Sequence, residues 1–410
     1  MAGTRTLLAL FFITFVASLH CAAAQAPKDP ASAPKELHFP PIAFFIAKGE
    51  PGVCGPGCSE WIAADGAIDR NAGQRLRVLL DRIGKRKLPI YFHSPGGSLS
   101  GGIEIGRMLR ARGMTAGVGR TIPQGCDPLQ ERESACDVIK RSGKELTAEL
   151  RTVRTLCNSS CVYALIGAKV REVTAGARIG VHTIALGEFD KDGSVKSRKS
   201  GPLSAEDTAK IKAANTYLAQ YIVSMGVDRA LFDAAAAVAH ERVRYISRDE
   251  IARFGIDRRE FHESLWTVDE GPPGPLVVVK FLTEKKDADG KQYRTTKIVL
   301  GCTRSHDVRV TFSRELATTD KPASIAVSAR GGDFVLPPRK GKPIVGYNDI
   351  EMEDRFARVP IAFFEDAAAG DTIEFGEAPD ISMLDRPPPR TRLSTAGLRR
   401  AVGVLSQRCR

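Results

Sequence analysis

The chain has 410 residues, 43% of them hydrophobic, with 60 Lys and Arg against 48 Asp and Glu. That length exceeds one ordinary domain, and that apolar content supports packed cores, so two domains are expected. Aromatic residues at 7%, 38 Gly and 24 Pro rule out a disordered chain, a collagen or a coiled coil. The net charge of +12 suits an anionic envelope or an acidic partner as well as nucleic acid, and selects none of them.

Residues 1–26 read as a secretory signal. Arg5 supplies the positive start, Leu7 to Leu19 an apolar run, and Ala24-Gln25-Ala26 a small-x-small cleavage site. The run is too short for a membrane-spanning helix, and no later stretch is long and apolar enough, so no transmembrane segment is expected after signal removal. A Pro/Ala/Ser-rich flexible linker covers 27–38. From 39 to 266 strand-like and helix-like segments alternate, which points to α/β layering. Ile42–Ala47 and Trp61–Ile68 look like strands. Asp69 is placed to cap a helix whose Ala72, Leu76, Leu79, Leu80 and Ile83 follow the 3.6-residue period. Leu88–Phe92 reads as a buried strand running into a glycine turn and a further helix. Residues 120–156 are polar, charged and bracketed by cysteines, and read as an insertion. Cys157–Gly167 reads as a turn into a helix, Ala177–Val181 as a strand, and 184–203 as a Gly/Lys/Ser loop. Ser204 and Asp207 form a capping pair for a long helix that stops at Gly226.

Residues 267–275, rich in Gly and Pro, read as a linker to a β-rich domain over 276–410. Leu276–Leu282, Tyr293–Leu300, Val308–Phe312, Ile325–Val327 and Ile373–Phe375 are its expected strands. A terminal helix follows, with Leu398, Ala401, Val402 and Leu405 on one face. Arg390, Arg392, Arg399, Arg400, Arg408 and Arg410 make this end basic; a solvated helix face is the ordinary explanation.

Nine cysteines are present, and Cys21 leaves with the signal. An even remainder in an exported chain favours disulfides. Neighbourhood suggests Cys54–Cys58, Cys126–Cys136 and Cys302–Cys409, with the pairing of Cys157 and Cys161 left open. C-x3-C occurs twice, but no His stands at zinc-finger spacing and an oxidising compartment disfavours thiolate ligands, so no metal is expected.

Three segments carry candidate chemistry. Ser94-Pro95-Gly96-Gly97-Ser98 turns a strand into a helix, where uncovered N–H groups of Gly96 and Gly97 can hold a developing oxyanion. Cys157-Asn158-Ser159-Ser160-Cys161 precedes a helix and can present a serine hydroxyl. Ile179-Gly180-Val181-His182 ends an apolar strand with a histidine, the usual base for serine. Each has a plain structural alternative: a strand-to-helix turn, a helix N-cap, and a histidine bonded to a loop.

Taken in this order, the three segments make residues 61–260 resemble the Clp protease proteolytic subunit and the wider Clp/crotonase superfamily, and more closely the exported bacterial Clp-like proteins. Gly101, Gly102 and Gly106 behind the turn, and Arg244-Tyr245-Ile246-Ser247 through Phe254-Gly255-Ile256-Asp257, belong to the same resemblance. It implies a fold of the α/β class, a Clp/crotonase-like ββα spiral domain, followed here by a small all-β, sandwich-like domain with a C-terminal helix. It implies Ser159 as nucleophile with Ser160 as runner-up, His182 as base, and an oxyanion hole of Gly96, Gly97 and Ser160. Relatives assemble into rings or trimers, which implies a homo-oligomer. The family's aspartate position is filled by Val243, with Arg242 and Glu241 before it, so Glu241 is the candidate to orient His182. Lys191, Lys196 and Lys199 are an alternative source of the base. The C-terminal part resembles exported β domains of the invasion-associated locus B type.

The expected function is an exported, periplasmic or secreted, ATP-independent Clp-like serine peptidase with a peptide or protein substrate. It needs no cofactor and has no nucleic-acid partner. The alternative is a catalytically weak or inactive envelope protein that binds a peptide or protein partner. Crotonase-type acyl-CoA chemistry is disfavoured, because coenzyme A is cytoplasmic.

Overall fold

The computed structural model describes residues 39–126, 134–191, 193, 195–198, 202–269, 276–288, 291–303, 307–315, 324–337, 344–345, 351–378 and 390–409. Residues 1–26, read as a signal, and 27–38, read as a linker, lie outside them, as do Lys199, Arg410 and residues 270–275. No described helix is long and apolar enough to cross a membrane.

The first half contains, in chain order, β1 (Ala43–Lys48), β2 (Glu60–Asp65), α1 (Ala72–Ile83), β3 (Ile90–His93), α2 (Leu99–Ala111), β4 (Thr115–Val118), β5 (Arg120–Pro123), α3 (Ser134–Lys140), β6 (Leu146–Arg151), β7 (Thr155–Asn158), α4 (Ser160–Gly167), β8 (Val170–Glu172), β9 (Ala177–Val181), β10 (Gly187–Phe189), β11 (Val195–Arg198), α5 (Ala205–Ser224), α6 (Ala230–Ala236), β12 (Arg244–Tyr245) and α7 (Arg248–Arg253). A seven-stranded sheet runs β5-β6-β1-β2-β3-β4-β8, and a three-stranded sheet runs β12-β9-β7. The β2–β3, β3–β4 and β4–β8 pairs are parallel, as is β7–β9. Between parallel strands the chain must cross over, which is what α1 and α2 do.

Periodicity explains the packing of α1. Ala72, Leu76, Leu79, Leu80 and Ile83 are all buried and join one core with Ile62, Ile90, Phe92 and α4. Its N-cap is Asn71, not Asp69. Asp69 instead accepts the Asn71 N–H and pairs with Arg75, so it braces the entry to the helix from two residues further out. Ser204 does cap α5, accepting the Asp207 N–H at 3.0 Å. Glycine lets α2 and α4 touch: Gly102 meets the Ser160 carbonyl and Gly106 meets Gly167 with no room for a Cβ. The segment expected to be an insertion is partly sheet. β5 and β6 join the main sheet through β1, and Trp61 donates to Thr121 at 2.9 Å to seal a second apolar layer behind it. The loop expected at 184–203 contains the β10–β11 hairpin.

The second half is antiparallel β: β13 (Phe261–Glu263), β14 (Thr267–Asp269), β15 (Val277–Ala288), β16 (Lys291–Cys302), β17 (Asp307–Glu315), β18 (Ile325–Ala329), β19 (Gly332–Leu336), β20 (Ile344–Val345), β21 (Glu351–Pro360), α8 (Ile361–Ala367), β22 (Thr372–Glu377), β23 (Arg390–Ser394) and α9 (Leu398–Arg408). One sheet runs β13-β15-β16-β17-β21-β20 with β14 also on β15, and a second runs β19-β18-β22-β23. Thr267–Asp269, read as linker in the sequence, is therefore a strand. The sheets share one core with α8 and α9, in which Phe312 stacks on Phe375 and Leu398, Ala401, Val402 and Leu405 are buried.

Four disulfides are formed: Cys54–Cys58, Cys126–Cys136, Cys157–Cys161 and Cys302–Cys409. Part of the basic C-terminal end is paired rather than simply solvated, with Arg392 on Glu374 and Arg400 on Glu149.

Candidate active site

Three parallel strand ends meet at one edge. Past β3, the Ser94 N–H donates to the Leu156 carbonyl and the Asn158 N–H donates to the Ser94 carbonyl, which ties the glycine turn to β7. Past β7, the Ser159 N–H donates to the Gly180 carbonyl at 2.8 Å, two residues before His182. Segments 94–97, 158–160 and 180–182 thus lie side by side at the carboxyl ends of their strands, where α/β proteins place ligands.

Ser159 has φ 54° and ψ −124° and is followed directly by α4. Few non-glycine residues hold such a conformation, and those that do cluster at functional sites. It stands at the N-cap position of α4, but its hydroxyl makes no capping bond to the helix. The turn is closed across its base by the Cys157–Cys161 disulfide, both cysteines being fully buried. Ser159 remains partly accessible, whereas Ser160 is 1% exposed, presses on Gly102, and keeps a buried hydroxyl with no partner. Of the two neighbouring hydroxyls, only that of Ser159 is reachable.

The glycine turn wraps this serine. A Cβ added at Gly96 (φ 95°) would lie 2.6 Å from both the Ser159 Cβ and the Asn158 carbonyl oxygen. A Cβ added at Gly97 (φ 137°) would press still more closely on the Ile68 carbonyl. Ile68 donates to the Gly96 carbonyl and accepts from the Ser98 N–H, so this pairing uses neither polar backbone group of Gly97. Among the described residues no acceptor lies on the N–H of Gly97 or of Ser160, the first residue of α4. Gly96 differs from expectation: its N–H is engaged by Ser94 Oγ at 3.1 Å. It shapes the turn and is not a free donor.

His182 is 8% exposed at the end of β9, and its Nδ1 lies 2.7 Å from the Thr183 carbonyl oxygen. A carbonyl only accepts, so Nδ1 carries the proton in this contact and the lone pair is on Nε2. Glu241, expected to orient the ring, has a largely exposed side chain paired with His240 at 3.1 Å. Nδ1 of His182 thus meets a main-chain oxygen, for which sequence offers no signal. Val243 packs over Gly180. Lys191 is exposed on the β10–β11 turn, while the side chain of Lys196 lies outside the described residues. Among the described residues no three His, Cys, Asp or Glu side chains gather to hold a metal ion.

No known family profile matches the sequence, and no curated protein does. Among solved structures the chain is similar to ClpP1 from Listeria monocytogenes and to a point mutant of it. Each is 14% identical over 47% of this chain and 85% of the other, with a TM-score of 0.29. It is also similar to a mutant of the 1510-N membrane-bound stomatin-specific protease, at 13% identity, 47% and 73% coverage and a TM-score of 0.28. These likenesses are too slight to carry an argument about this chain.

Proposed function

We propose that the chain is an exported serine hydrolase that cleaves peptide bonds without ATP, with residues 1–26 as its signal, 39–266 as the hydrolytic region and 276–410 as an accessory β region. One observation carries this reading: Ser159 is held in a strained turn, its hydroxyl uncommitted, against a glycine turn with a bare N–H. Ser159 Oγ attacks the scissile carbonyl carbon while His182 Nε2 takes its proton. The oxyanion forms on the N–H groups of Gly97 and Ser160. His182 returns the proton to the leaving amine, and water then cleaves the acyl-enzyme by the same route. Four disulfides support an oxidising compartment.

The test is labelling of the purified mature protein with a fluorophosphonate. Labelling is expected in the wild type and in Ser160→Ala, and is lost in Ser159→Ala; His182→Ala should slow it by roughly 10²–10⁴. A folded wild type that stays unlabelled from pH 6 to 9 overturns the reading. One observation favours a second reading, a weakly active or inactive envelope protein that binds a peptide. Glu241, the carboxylate expected to orient His182, has a largely exposed side chain paired with His240, and loss of the orienting carboxylate costs about 10⁴ in rate in a Ser-His-Asp enzyme.

A further inference from the structure

Among the described residues only two non-glycine residues have positive φ, Ser159 at 54° and Arg154 at 55°. They bracket β7, four residues long. At its far end, strain is explained by the strand-to-helix turn. At its near end, Arg154 is exposed, and its guanidinium reaches Asp269 Oδ2 at 3.1 Å on β14, the second strand of the antiparallel half that starts at β13. Two further ties run from that region to the same approach. The Leu265 N–H donates to Thr152 Oγ1 at 3.0 Å, and Thr155 Oγ1 donates back to the Thr152 carbonyl. Arg400 of α9 meets Glu149 at 2.8 Å, and the end of α9 is bonded to β16 through Cys302–Cys409.

We infer that the antiparallel half, from β13 onward, positions the nucleophile, with Arg154 and Asp269 as positioning residues; this rests on Ser159 being that nucleophile. A residue in an uncommon backbone conformation stays there only when its surroundings over-determine it. Asp269 is part of those surroundings. β7 is bonded to Ser94 on one side and to β9 on the other, so it transmits a change at its start to its end as a stiff rod of about 3.3 Å per residue. With its Arg154 end exposed, the pair adds little stability. Its effect is directional: it fixes how β7 enters the site.

The experiment uses the whole mature chain and two readouts: fluorophosphonate labelling rate, and amide hydrogen exchange over 155–161. Arg154→Ala and Asp269→Asn are expected to speed exchange at 159–161 by about threefold or more and to slow labelling about five- to tenfold, with the melting temperature little changed. The exchanged pair Arg154→Asp with Asp269→Arg should recover much of both. Wild-type exchange at 155–161 in Arg154→Ala and Asp269→Asn overturns the inference, as does faster exchange with no loss of labelling in a protein that labels. If the wild type never labels but exchange still responds, the hydrolase reading falls while the structural coupling stands.

Discussion

Two adjacent serines show how much a single backbone angle decides. Spacing cannot distinguish Ser159 from Ser160, since both precede the same helix. The fold separates them, because φ 54° turns one toward the glycine turn while the other starts α4 and is buried on α2. The strain implies a trade between stability and function. A residue at such an angle costs about 1–3 kcal/mol, and glycine would pay less of it. Ser159→Gly should therefore be about 1 kcal/mol more stable than Ser159→Ala in urea unfolding, with both unlabelled. Equal midpoints would mean the turn is not strained. Ser160→Ala removes a buried hydroxyl that has no partner, so its stability should be unchanged or slightly raised. The glycine turn was legible for the same reason that it is constrained: Gly96→Ala brings a methyl within 2.6 Å of Ser159 and should abolish labelling. The Thr183 carbonyl on His182 Nδ1 was not legible, because it is a main-chain oxygen, and no side-chain pattern announces one.

Helices and strands were readable where their side chains report burial truthfully. In α1 and α9 each apolar position that shares the helical period is buried. β21 escaped the sequence because it inverts the usual alternation, burying Arg355 completely while Phe356 is 45% exposed. Its register on β17, Phe312 opposite Arg355, comes from sheet pairing rather than from hydrophobicity. The β10–β11 hairpin was missed for a related reason: it is short and polar, and Arg70 over the Phe189 ring at 3.6 Å helps to anchor it. The disulfides pin elements of different reach, which gives an ordered prediction. Cys302–Cys409 spans 107 residues and Cys54–Cys58 only four. Chain entropy assigns about 4–5 kcal/mol to the first and about 2 kcal/mol to the second. Replacing both cysteines of each bridge by alanine should therefore lower the melting temperature more for the long bridge. The reverse order would show that native packing, not loop closure, sets their contributions.

The two halves were legible as a change of texture, but the joint between them was not, because it is built from buried polar groups. His262 of β13 has a fully buried side chain between the α/β elements and the sheet. Its Nε2–H donates to the Arg259 carbonyl at 2.6 Å, its Nδ1 is 3.5 Å from Asp257, Tyr293 is tilted against the ring, and Arg248 and Arg259 reach the same carboxylate. Burial, then the charge of Arg248, lowers the imidazole from its ordinary 6.5 to about 4, against the pull of Asp257. An unfolded chain takes up this proton near pH 6.5 and the folded one only near 4. Between those values the unfolded state binds more protons, so stability is fully present above 6.5 and drains away as pH falls. The difference of about 2.5 units corresponds to about 3 kcal/mol. Urea unfolding of wild type and of His262→Gln should show the wild type losing about that much relative to the variant between pH 7 and pH 4. Parallel curves would mean that the imidazole takes up its proton at the same pH in the folded joint as in the unfolded chain, the pull of Asp257 offsetting burial and the charge of Arg248.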